Sequence, residues 1–136
     1  MAKFYAKDYS VTIGTVNLSS SINSVELTLE ADEVETTNFG SGGWRERIAG
    51  LQTGSISIDF MQDYGAAAVE ATLYPMFGTA VSFTIKPTSG TVSATNPSYS
   101  GTALVVQHTP VSGQVGDLAT FSVTWPVSGS VTKAVA

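Results

Sequence analysis

His108 is the only histidine in a chain of 136 residues that has no cysteine. A lone imidazole cannot build a multi-histidine metal site, and without thiols there is neither a thiolate site nor a disulfide. His108 follows Gln107 and precedes Thr109 near a strand end, where a structural or solvent role accounts for it. Five acids, Glu26, Glu30, Asp32, Glu33 and Glu35, crowd one short stretch with no base among them. Carboxylate oxygens suit hard cations, but in an extended strand Glu26 lies too far from Asp32 to share an ion. The stretch reads as a solvated strand face. Asp59 and Asp63 would be the acid pair of a glycosidase, yet the first fits the polar side of a strand and the second a helix cap. Gly40-Ser41-Gly42-Gly43 lacks the following Lys-Ser/Thr of a phosphate cradle, and there is no G-x-S-x-G elbow. These residues predict no enzyme, no metal and no cofactor.

What remains is a contact surface. The stretch Thr36–Gly50 holds four of the thirteen glycines, two of the six basic residues and one of the two tryptophans. Phe39, Trp44, Arg45 and Arg47 in a glycine-rich segment are poor core material, but aromatic and Arg residues are the usual interface anchors. Trp44, Phe39, Tyr64 and Tyr99 would also serve a sugar-stacking platform, although they are dispersed along the chain.

The elements that must carry these residues are mostly strands. Val25-Glu26-Leu27-Thr28-Leu29-Glu30-Ala31-Asp32 is the clearest alternation, with Glu26, Thr28, Glu30 and Asp32 on the polar side. The period slips at Asp32-Glu33-Val34, which predicts a bulge or a strand leaving its sheet. Ser55–Phe60 alternates in turn, so two strands joined by a connection over about 36–54 form a hairpin with an extended tip. Loops this long are functional or disordered, and the aromatics argue against disorder. Val11–Val16 reads as a strand with a bulge at Gly14. Asp63 caps a predicted helix over about 63–75 whose apolar stripe is Val69, Leu73, Met76 and Phe77, with Pro75 ending it and Glu70 facing solvent or a second subunit. Further strands follow at Val81–Ile85, at Tyr99–His108 with Leu104-Val105-Val106 buried on both faces, and at Ala119–Trp125. Val127–Ala136 adds an edge strand or an arm. One helix among about seven strands gives a mainly β fold, a sandwich or barrel with one flanking helix.

Composition sets the outer limits. At this length one domain over 1–136 is expected, with a flexible N-terminal arm (1–8) and C-terminal segment (127–136). The hydrophobic share is 43%, enough for a core, and the net charge is −5 with a pI near 4.5. Such a chain repels nucleic acid rather than gripping it. No apolar run is long enough to span a bilayer, and the N-terminus lacks a signal-peptide core.

Thr37-Asn38-Phe39-Gly40, then Trp44-Arg45-Glu46-Arg47-Ile48-Ala49-Gly50-Leu51 with Gly54, leads directly into an alternating strand. Asn96-Pro97-Ser98-Tyr99-Ser100-Gly101 and Gly116-Asp117-Leu118 before Phe121-Ser122-Val123-Thr124-Trp125 follow in order. Together, over about residues 10–130, they resemble the tail tube (major tail) proteins of long-tailed bacteriophages. The resemblance implies a virion protein, assembled in the host cytoplasm, whose six-membered rings stack into a hollow tail tube. DNA would pass through without specific binding, and the partners would be further copies, the tape measure, the tail terminator and tail-tip proteins, with no membrane. Glu26, Glu30 and Asp32 would face the lumen. Phe39, Trp44, Arg45 and Arg47 would contact a neighbour, with Arg45 or Arg47 paired to Glu33 or Glu35 across the interface. The other readings are a capsid decoration protein and a carbohydrate-binding β-sandwich.

Overall fold

The computed structural model describes residues 3–136. It contains eight strands: β1 (Ser10–Ile13), β2 (Val16–Asn17), β3 (Ile22–Glu35), β4 (Arg47–Met61), β5 (Ala80–Lys86), β6 (Ser98–Leu104), β7 (Thr120–Val127) and β8 (Thr132–Ala134). All pairings are antiparallel, in the order β2-β1-β5-β6-β7-β4-β3, with β8 added along β6. The sheet folds over itself. Val11, Ile13, Phe83, Ile85 and Ala103 therefore meet Ile56, Ile58, Phe60, Phe121, Val123 and Trp125 in one core. Strict alternation makes this possible: β4 buries Gly54, Ile56, Ile58 and Phe60, and β7 buries Phe121, Val123 and Trp125. Burying each such large side chain contributes roughly 1.5–3 kcal/mol. The mainly β, barrel-like fold matches the pattern read from the sequence.

Several boundaries differ from that pattern. Gly14 does not mark a bulge. With φ of 64° it opens the two-residue turn Gly14-Thr15 that pairs Ile13 with Val16, so the expected single strand is a small hairpin. The hairpin connection is shorter than 36–54, because β4 begins at Arg47 and pairs with β3 as far as Glu35. Residues 47–53 carry little hydrophobic alternation, and pairing with a preformed strand supplies the order that their own pattern does not. The bulge expected at Asp32 is present, as a register shift between Ala31 and Glu33.

The helix, α1 (Val69–Leu73), has five residues rather than thirteen. Asp63 does not cap it: its carboxylate accepts from the Gly65 N–H at 2.9 Å, and the N-cap is Ala68. Pro75 lacks an N–H for the next helical bond, and the chain continues in tight turns from Leu73 to Thr79. Val69 and Leu73 are fully buried and Met76 packs on the core, whereas Phe77 is exposed. Tyr99–His108 is a strand only to Leu104. Val105 is buried, but Leu104 and Val106 are exposed, so the expected two-faced burial is absent. The C-terminal segment does add a strand, β8. Near the N-terminus Asp8 accepts from the Ser89 hydroxyl at 2.8 Å and the Ser89 N–H at 3.3 Å, which holds its carboxyl below the usual range.

Candidate functional site: an acidic strand face and a projecting arm

In an antiparallel pair, residues directly opposite one another share a face. The β3–β4 register sets Glu26 against Ser57, Thr28 against Ser55 and Glu30 against Thr53. On the other side of β4, β7 sets Thr124 against Ser57 and Ser122 against Asp59. These polar side chains form one face three strands wide, the reverse of the face that buries Ile56, Ile58 and Phe60. Ser57 and Thr124 hydroxyls meet at 3.1 Å, Ser122 donates to Asp59 at 2.6 Å, and Thr28 donates to Glu26 at 3.3 Å. Glu26, Glu30, Asp32 and Asp59 are the acidic side chains on this face. The structure thus brings Glu26, Glu30 and Asp32 to one face, as alternation predicts, and adds Asp59, which strand reading had placed on a polar side without linking it to them. Among the described residues no cluster of His, Cys, Asp or Glu is arranged to hold a metal.

The same two strands continue beyond the body. Pairing of β4 with β7 ends at Gly54–Val127, and from there to the tip β4 has only β3 beside it. This arm projects about 20 Å, for six residues of strand at 3.3 Å each, and ends in a short 3-10 turn at Phe39–Ser41. The tip is held by its own hydrogen bonds. Asn38 Oδ1 accepts from the Gly40 N–H at 2.8 Å, the Asn38 N–H donates to Ser41 Oγ at 3.1 Å, and the Thr36 N–H donates to the Glu46 carbonyl at 2.8 Å. Gly42 and Gly43, at φ 67° and 88°, turn the chain back where a side chain would be strained. Phe39 is fully exposed and Trp44 is 79% exposed.

Within the hairpin, Arg45 and Arg47 each meet one of the acids expected for them. Arg45 Nη1 lies 2.6 Å from Glu35 Oε1, and Arg47 pairs with Glu33. Both pairs are half or more exposed, so each contributes little to stability. The sugar-stacking alternative loses its platform. Phe39 and Trp44 are at the arm tip, Tyr64 is at the far end of the body beside Pro110, and Tyr99 is half-buried in β6.

His108 has a structural partner that sequence reasoning missed. Its Nε2 lies 2.9 and 3.1 Å from the two carboxylate oxygens of Glu70, with the rings of Tyr74 and Phe121 set edge-on. Glu70 therefore faces the protein, not solvent. No local signal marks this pair, since its members are 38 positions apart.

The sequence matches the phage tail tube protein model over residues 20–133. The chain belongs to the phage tail tube protein family. A tail tube protein is a structural component of the virion tail and not an enzyme. No curated protein matches the sequence significantly. Among solved structures, a chain in the virion of a native gene transfer agent particle superposes with TM-score 0.73 at 16% identity, covering 98% of this chain and 100% of that one. A chain in the tail of an empty gene transfer agent particle, which has C6 symmetry, gives 0.66 at 19% identity, over 85% and 83%. At these identities the likeness establishes the fold.

Proposed function

We propose that this tail tube protein, acting as one domain, forms six-membered rings that stack into a tube through which DNA leaves the virion. The observation that carries the reading is the acidic face of β3, β4 and β7. Repeated around a ring, Glu26, Glu30, Asp32 and Asp59 line a channel with negative charge, and phosphate slides past a wall it is repelled by. The edge of β3 supports lateral closure. It runs fourteen residues with a partner only on its β4 side, and such an edge pairs with another chain unless it is protected. The C6 symmetry of the gene transfer agent tail is the support for six copies. Phe39, Trp44, Arg45 and Arg47 would reach a neighbouring subunit, and tape-measure, terminator and tip proteins would meet the tube along its bore and at its ends. Assembly takes place in the host cytoplasm.

Negative-stain microscopy of the concentrated protein tests this. Stacked rings with a central channel are expected, and particles that stay dispersed at every concentration would refute it. The lumen assignment has its own test. Glu26→Lys, Glu30→Lys and Asp32→Lys together should leave tubes intact but slow DNA ejection, and unchanged infectivity would move the acid face out of the channel.

A further inference from the structure

The arm that carries Phe39 and Trp44 is weakly supported along its stem. A two-stranded ribbon without a third strand is marginal in water, and beyond Gly54 only β3 lies beside β4. Residues 29–53 carry five acids and two arginines, so like charges oppose the ribbon's closure. The two ion pairs, Arg45 with Glu35 and Arg47 with Glu33, are exposed, and each adds little. The order of the tip must therefore come from residues 36–46 themselves.

Glu46 is the hub of that segment. Its N–H donates to Thr37 Oγ1 at 3.0 Å, and its carbonyl accepts from the Thr36 N–H at 2.8 Å. Its carboxylate Oε2 accepts from the Ser41 hydroxyl and, at 3.5 Å, from Asn38 Nδ2. Ser41 Oγ in turn accepts from the Asn38 N–H at 3.1 Å, which closes a ring of hydrogen bonds through Asn38, Ser41 and Glu46. Charge-assisted bonds to a carboxylate are roughly twice as strong as neutral ones, and members of a network polarise one another. Neither flanking arginine takes this carboxylate, because Arg45 and Arg47 are turned to Glu35 and Glu33. Glu46 is left to bind the turn.

The ring fixes both aromatic residues through the backbone. Phe39 sits inside the Asn38–Ser41 turn, and the Trp44 N–H donates to the Ser41 carbonyl at 3.3 Å. Phe39 and Trp44 then line one cleft with Thr37, Asn38, Gly43 and Arg45. Both rings are exposed, so packing does not hold them. We propose that Glu46 is a positioning residue, a latch by which the free subunit already presents Phe39 and Trp44 in a fixed arrangement. A partner then meets a finished surface, and the cost of ordering the loop has been met during folding. The competing account makes Glu46 an ordinary surface acid and leaves strand pairing alone to order the tip. The latch works within one chain and does not depend on rings or tubes forming.

Hydrogen exchange of the full chain, at a concentration where it stays dispersed, tests the latch. The Gly40, Ser41 and Glu46 amides are each bonded inside the tip and should exchange more slowly than open-chain amides. Glu46→Ala should speed exchange across residues 36–46 about tenfold, as bonds to a charged acceptor are lost, and leave residues 54–61 unchanged. Glu46→Gln keeps a side-chain acceptor and should restore most of the protection. With 5-fluorotryptophan incorporated, the Trp44 fluorine signal should move toward that of the free amino acid in Glu46→Ala and return in Glu46→Gln, while Trp125 stays constant. Wild-type tip amides that exchange at open-chain rates would overturn the latch, as would unchanged protection in Glu46→Ala. A loss in Glu46→Gln equal to that in Glu46→Ala would overturn the acceptor role.

Discussion

The β3–β4 hairpin contains two regions built from the same two strands with opposite fates. From Ile22 to Thr28 and from Gly54 to Met61 it lies beside β7, and β4 buries every second side chain in the core. From Leu29 to Thr53 it has no third strand, and nearly every residue is exposed. The β3–β4 ladder runs along both, interrupted at the bulge, and only the body half also bonds to β7. What differs is cover: the body half obtains its stability from packing within the chain, whereas the arm half displays apolar side chains that a single chain leaves in water. Substitutions in the two halves should therefore separate folding from assembly.

The largest effect on folding is expected in the body half. Phe60 is fully buried, stacked on Phe121 at 5.2 Å and tilted against Trp125. Phe60→Ala should cost about 3–5 kcal/mol, read as a lower denaturant midpoint of the unassembled protein. Next comes the buried polar pair on the body's far side. The His108 side chain is 3% exposed and its Nδ1 has no partner. Glu70→Ala, which strips Nε2 of its acceptor as well, should cost about 1–3 kcal/mol. Equal stability in that variant would mean that water reaches the ring.

In the arm the order of effects reverses. Trp44→Ala should leave unfolding of the monomer within about 0.5 kcal/mol of wild type, while tubes fail to form in micrographs. A monomer that unfolds instead would erase the distinction between the halves. Arg47→Ala removes an exposed ion pair and should cost less than about 1 kcal/mol, less still in high salt. The smallest effect belongs to Asp8. Its carboxyl is held below the ordinary value by Ser89, so its contribution is complete above the unfolded-state value and is lost as pH falls through the lowered one. Asp8→Asn should flatten the acid side of the stability profile slightly.

The two halves also differ in how far their sequence could be read. Val25–Asp32 and Ser55–Phe60 alternate cleanly, so strand identity, facing and the grouping of Glu26, Glu30 and Asp32 were all accessible from spacing. The slip at Asp32-Glu33-Val34 marked the bulge correctly. Residues 47–53 read as loop, because Ala-Gly-Leu-Gln-Thr has no period of its own and is a strand only through its register with β3. The helix was overextended because Gly65-Ala66-Ala67 carries helix-friendly alanines, yet Ala67 takes a left-handed φ of 56°. Leu104-Val105-Val106 reads as doubly buried on composition alone, where the chain in fact leaves the sheet after Leu104.

By itself the sequence determined what alternation and residue order can encode: a mainly β chain, an acid-bearing strand face, an aromatic and basic tip, and membership in a tube-forming family. Those properties are local, or are carried in the order of short motifs. The tertiary structure alone decided that the tip stands on an uncovered arm, that Asp59 joins the face of Glu26 and Glu30, and that Glu70 meets His108. Each of these depends on which distant segment lies alongside, and that choice is made by the shared core, where β4 and β7 pack against β1, β5 and β6.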